Sequence, residues 1–177
     1  MKPVGVSGAL RAVWTGTLAG AVGTAAMDFI LFGRYRRSGG KQGLIAWETA
    51  EDVESWDHAS GPGRVGQLLL KQVTGREPPS RWARPTTNLV HWMTGLAWGA
   101  QFGLVSAATR RPRWQLAALF GPTVWLTGYV VLPLAKVYKP IWEYDGKTLA
   151  KDLSAHMAYG VVTAATFSAL ARSPGGP

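Results

Sequence analysis

Residues 12–32 read AVWTGTLAGAVGTAAMDFILF, and Asp28 is their only charged residue. A helix rises about 1.5 Å per residue, so this stretch is long enough to cross a hydrocarbon core of about 30 Å. The apolar run continues well past the small residues 23–25, where a secretory signal would be cleaved. This stretch therefore predicts a retained transmembrane helix.

Further runs share this length and this shortage of charge: 88–109, 114–135 and 153–171. Together with 12–32 they predict an all-α fold, an integral membrane bundle of four transmembrane helices. We expect one domain over residues 1–172, followed by a disordered tail at 173–177.

The sizeable extramembrane segment covers residues 34–85, between the first and second predicted spans. We expect Gly33 to end the first helix, because glycine commonly follows a helix C-terminus. Within the segment, residues 64–74 place Val65, Leu68, Leu69 and Val73 at helical spacing. They predict a short amphipathic helix that lies in the membrane interface with Arg64 and Lys71 towards the headgroups.

The net charge is +9 and the chain has no cysteine. Lys and Arg cluster at the ends of the apolar runs rather than among base-stacking aromatics, which argues against nucleic-acid binding. Most of them lie in 34–85 and 136–152, so the positive-inside rule places these segments in the cytoplasm and both termini outside. The dense arginine turn at 110–113 argues for the opposite orientation. The expected chain passes through the lipid bilayer several times.

Three ionisable residues, Asp28, His91 and His156, lie inside the apolar runs. Counted along the predicted helices, all three fall roughly one turn below the same membrane face. Ionisable groups inside a membrane are costly, so they are commonly paired, directed to a cavity or functional.

Each of these residues ends a stripe of small residues spaced by four: Gly16, Gly20 and Thr24 with Asp28; Gly95, Gly99 and Gly103 with His91; Gly160, Ala164 and Ser168 with His156. Small residues at this spacing let membrane helices approach closely. We therefore expect the stripes and the three ionisable residues to face the bundle interior. The parallel between His91-x3-Gly95 and His156-x3-Gly160 also suggests a two-plus-two internal repeat.

The same polar cluster has further candidate members: Asn88, Asp152, Tyr159, Glu143 and Asp145. The leading interpretation is a membrane protein that binds a small ligand or relays protons through this cluster, since histidine titrates near physiological pH. One alternative is a small membrane enzyme, or a haem or metal protein, that uses His91 and His156. Another is a structural subunit, or a homo-oligomer, that packs through its glycine faces. No catalytic residue, metal site or cofactor is assigned by the sequence.

Several longer motifs carry a resemblance to a family: residues 47–56 (WETAEDVESW), 91–99 (HWMTGLAWG), 139–145 (KPIWEYD) and 151–156 (KDLSAH). They resemble a group of actinobacterial polytopic membrane proteins that is distantly similar to the YagU-like inner-membrane proteins. The resemblance covers most of the chain from the first helix onwards. It implies a multi-pass protein of the bacterial cytoplasmic (inner) membrane with undefined activity, and YagU-like members are linked loosely to acid tolerance.

Overall fold

The computed structural model describes residues 5–109 and 113–172, and every regular element in these ranges is helical. The α-helices are α1 (Val6–Arg37), α2 (Leu44–Glu48), α3 (Gly61–Thr74), α4 (Ala83–Ala108), α5 (Arg113–Leu134) and α6 (Gly146–Leu170). Short 3-10 helices cover Trp56–His58, Ser80–Trp82 and Ile141–Glu143. The predicted all-α class is confirmed, whereas most of the arginine turn and the predicted disordered tail lie outside the described residues.

Three of these helices, α1, α5 and α6, are long and apolar enough to cross a membrane. The chain is therefore a multi-pass membrane protein in contact with the lipid bilayer. The helix α4 has 26 residues and would reach about 39 Å. It is not among these three candidate spans, and polar residues such as His91 and Gln101 lie within it.

Two predicted helix ends are wrong. The helix α1 continues through Gly33 to Arg37, and the chain turns at Gly39, whose φ of +96° suits glycine. A single glycine costs a helix only about 1 kcal/mol, which the long flanking run outweighs. The helix α6 begins at Gly146 rather than residue 153, because Asp145 caps it by accepting a 3.0 Å hydrogen bond from the Thr148 N–H.

The described residues form two compact units. The first contains the described parts of 1–30, 94–127 and 145–177, and the second contains 31–93 and 128–144.

In the first unit, glycines bring α1 and α4 into backbone contact. A Cβ added at Gly20 would lie 2.6 Å from the Gly95 carbonyl oxygen and 2.8 Å from the Gly99 Cα. Gly16, four residues earlier on α1, faces Gly99 and Gly103 instead. Later residues of α1 thus meet earlier residues of α4, so the two helices are antiparallel. The prediction that these two small-residue stripes mediate close packing is confirmed.

A similar contact joins α5 to α6. A Cβ at Gly160 would lie 2.6 Å from the Gly121 backbone nitrogen, and one at Gly121 would lie 2.6 Å from the His156 carbonyl oxygen. Around these crossings the aromatic rings of Phe102, Phe120, Tyr159 and Phe167 form the core. The glycine faces proposed for a partner subunit thus pack against one another within this chain.

In the second unit, α3 packs on the start of α4. Gly63 faces the Thr87 hydroxyl, and Gly66 faces the Thr86 methyl group. Trp56 is buried nearby and donates a 2.8 Å hydrogen bond from its indole to the Pro78 carbonyl. The helix predicted at 64–74 is present as part of α3. Its apolar Leu68, Leu69 and Val73 side chains are exposed.

Candidate polar site in the helical interior

Asp28 is a buried carboxylic acid in the first unit. It lies on α1 with only 4% of its surface exposed, four residues after Thr24, which is also buried. The Thr24 hydroxyl is satisfied by the Gly20 carbonyl at 2.9 Å. Asp28 is not an isolated charge, since it takes part in an interaction of its own. The helix α1 continues for nine residues beyond it, about 14 Å along the axis.

His156 lies on α6 and is held by Asp152, one turn earlier. The His156 Nδ1 lies 2.9 Å from the Asp152 carbonyl oxygen and 3.5 Å from its carboxylate Oδ1. A carbonyl oxygen can only accept, so in the neutral imidazole Nδ1 carries the proton and Nε2 has a lone pair. No described residue hydrogen-bonds Nε2, and one fifth of the side chain remains accessible. His156 is therefore oriented to accept a proton or a ligand donor at Nε2.

The helix contacts place Asp28 and His156 at about the same level of the first unit. The helices α4 and α6 are parallel, because Tyr159 contacts Gly95 while Phe167, further along, packs edge-to-face on Phe102. Since α1 is antiparallel to α4, it is also antiparallel to α6.

Gly23 of α1 faces both Tyr159 and Thr163 of α6. Moving five residues forward from Gly23 reaches Asp28, and moving back by the same number from between Tyr159 and Thr163 reaches His156. The equal depth predicted for these two residues is consistent with this register.

Tyr159 is buried and its hydroxyl donates a 2.6 Å hydrogen bond to the Gly95 carbonyl oxygen. This bond joins α6 to α4 and occupies the tyrosine proton. Tyr159 is one helical turn from His156, so it forms one wall of the interior beside the histidine.

In the second unit, two polar side chains of α4 donate hydrogen bonds to Glu48 of α2. The Asn88 amide donates a 2.7 Å hydrogen bond to the Glu48 carbonyl oxygen. The Trp92 indole donates at 2.8 Å to the Glu48 carboxylate. His91 lies between these two residues in sequence and has an interaction of its own. Asn88 therefore fixes α2 to α4 through its amide nitrogen.

Glu48 is the interacting residue that the sequence analysis did not identify. It lies in an acidic stretch, which is typical of a solvated surface, and its indole partner is 44 residues away. No local spacing signals such a pair.

Glu143 and Asp145 are both exposed, Glu143 in the 3-10 helix and Asp145 at the start of α6. The Asp145 carboxylate also accepts a 2.7 Å hydrogen bond from the Thr148 hydroxyl. These hydrogen bonds from Thr148 hold the pKa of Asp145 below its ordinary value. Its role is to cap α6. Within residues 5–109 and 113–172, no three His, Asp or Glu side chains are grouped closely enough to hold a metal ion.

The chain was compared with protein families, with curated proteins and with solved structures, and none of them matches it.

Proposed function

We propose that this protein is a four-span membrane protein that relays protons through ionisable residues of its helical interior: Asp28 and His156 in the first unit and, separately, His91 in the second. The observation that carries the proposal is the His156 geometry, in which Asp152 holds Nδ1–H and leaves the basic Nε2 without a described partner. A carboxylic acid and an imidazole at one level of a helical interior are the groups that proton pathways use.

Asp28 supports this role through its burial. A carboxylic acid with 4% exposure inside an apolar helix is costly to bury, and ionisable residues retained at such places are commonly functional. His91 is included because it lies four residues before Gly95 on α4, in line with the small-residue stripe of that helix. The resemblance to YagU-like proteins, whose members are linked to acid tolerance, agrees with a role in proton handling.

The experiment is proton uptake into proteoliposomes that contain a pH-sensitive dye, driven by a potassium diffusion potential. We expect His156→Gln and Asp28→Asn to reduce uptake to the level of protein-free vesicles. The matched control is His58→Gln, because His58 is exposed in a 3-10 helix and should leave uptake unchanged. Equal uptake by the unaltered protein and both interior variants would show that these residues relay no protons. Native mass spectrometry of the same proteins tests the alternative that the interior residues bind a small ligand. A bound ligand would appear as an added mass that is lost in His156→Gln.

The same proposal makes α4 the fourth span, with α3 in the interface and the 34–85 segment in the cytoplasm of a bacterial cell. Four spans put both chain termini on one side of the membrane, whereas three put them on opposite sides. Because the chain has no cysteine, Ser7→Cys and Arg172→Cys each introduce a unique thiol. An impermeant maleimide should label both positions from the same side, and labelling from opposite sides would exclude α4 as a span.

A further inference from the structure

The loop that follows α1 is folded onto the end of the helix by its own hydrogen bonds. The Tyr35 hydroxyl accepts the backbone N–H groups of Lys41 and Gln42, both at 3.1 Å. Arg36 Nη1 donates to the carbonyl oxygens of the same two residues at 3.1 and 3.2 Å. The Ser38 hydroxyl donates to the Tyr35 carbonyl at 2.9 Å. The loop therefore has a defined shape, and we refer to residues 34–43 as the Arg36 loop.

This loop presents cations to solvent. The Arg36 guanidinium is engaged with backbone carbonyls, but the Arg37 and Lys41 side chains are exposed. Residues 34–43 contain no acidic residue. The exposed charge of the loop is therefore entirely positive.

An apolar pair follows directly. Leu44 and Ile45, in the first turn of α2, are 47% and 79% exposed. In the same short helix, the Trp47 ring packs against Phe32 and Tyr35 of α1, with ring centroids 5.6 and 6.2 Å apart. This packing attaches α2 to the last turns of α1, so the exposed apolar pair and the exposed cations belong to one surface at the end of the helix.

From this arrangement we infer that the Arg36 loop and the first turn of α2 form a docking surface for anionic lipid. The helix α1 is long and apolar enough to span the bilayer, and it ends at Arg37, so lipid headgroups lie at the level of this loop. Arg37 and Lys41 match the negative charge of a phosphate headgroup, and Ile45 is placed to enter the acyl region beside it. The inference goes beyond the proposed function, because it concerns a surface in the second unit and needs no proton transfer.

The first test is native mass spectrometry of the detergent-solubilised full chain with added phosphatidylglycerol or phosphatidylcholine. Each cation near an anionic surface strengthens binding roughly five-fold, so Arg37→Gln with Lys41→Gln should weaken phosphatidylglycerol binding about 25-fold. The matched control is Arg11→Gln with Arg172→Gln, which removes the same charge from exposed positions far along the chain. An equal loss in the control, or equal binding of the two lipids to the unaltered protein, would overturn the inference.

The second test measures the position of α2 directly and does not depend on lipid affinity. A spin label at Ile45→Cys in phosphatidylglycerol vesicles should be accessible to oxygen and protected from a water-soluble nickel complex. A label at Ser60→Cys, an exposed polar position, should show the reverse. If the label at position 45 is as accessible to nickel as the label at position 60, the apolar pair faces water and the surface is not a membrane contact.

Discussion

The glycine contact between α1 and α4 makes a sharp prediction for Gly20→Ala. The added Cβ would lie 2.6 Å from the Gly95 carbonyl oxygen and 2.8 Å from the Gly99 Cα, whereas an ordinary contact begins at 3.4 Å. The neighbouring atoms are backbone, so they cannot rotate away as a flexible side chain would. The two helices must therefore separate locally by about 0.8 Å or more, which reduces the dispersion contacts of the neighbouring glycines.

Two opposing free energies set the magnitude of this effect. Overpacking of this kind costs about 1–3 kcal/mol, and alanine recovers up to about 1 kcal/mol through its better helix propensity. We expect a net loss of about 1–2 kcal/mol, seen as a midpoint several degrees lower when thermal unfolding is followed by circular dichroism in detergent.

The matched control is Gly33→Ala on the same helix. A Cβ at Gly33 meets no atom within 4 Å, so this variant should keep or slightly raise the midpoint. A Gly20→Ala protein as stable as the unaltered one, or two variants that shift alike, would refute the close-contact reasoning.

Three further predictions concern the hydrogen bonds of individual side chains. Trp92→Phe removes the indole donor to Glu48 and should destabilise the protein by about 1 kcal/mol in denaturant titration, whereas Trp142→Phe, at a side chain 81% exposed, should be neutral. Tyr159→Phe removes the 2.6 Å bond to the Gly95 carbonyl and should cost about 1 kcal/mol in the same titration, and an unchanged midpoint would contradict this. Asp145→Ala should speed hydrogen exchange in the first turn of α6. Since hydrogen bonds lower the pKa of Asp145, its stabilising effect is complete above the ordinary carboxyl pKa and is lost as pH falls through the lower folded-state value. Acidification past that value should therefore mimic the substitution. A protection factor of these amides, corrected for the intrinsic exchange rate, that stays constant with pH would count against the cap.

The membrane helices and their close contacts were predictable because both leave periodic signals in the sequence. The length of the stretches nearly free of charged residues identified α1, α5 and α6 as spans. The four-residue spacing of glycine identified the helix faces that meet at Gly20 and Gly99. These signals follow directly from bilayer thickness and helix geometry.

Helix ends were harder to predict because charged residues do not stop a helix where it leaves the bilayer. The helix α6 starts at Gly146 and includes Lys147, Lys151 and Asp152 before its apolar run. The Asp152–His156 pair follows from this extension, since it requires both residues to lie one turn apart on the same helix. The contacts of Glu48 with Asn88 and Trp92 depend on tertiary folding and have no local signal.

The most direct measurement of the central claim is ¹⁵N NMR of the protein with labelled histidine in lipid bilayers. Only three histidines contribute signals, and His156→Gln identifies the one of interest. The account predicts that neutral His156 carries its proton on Nδ1 and has an unprotonated Nε2, because Nδ1 donates to the Asp152 carbonyl. A His156 signal with the proton on Nε2 would contradict it, since the nitrogen proposed to receive protons would already be occupied.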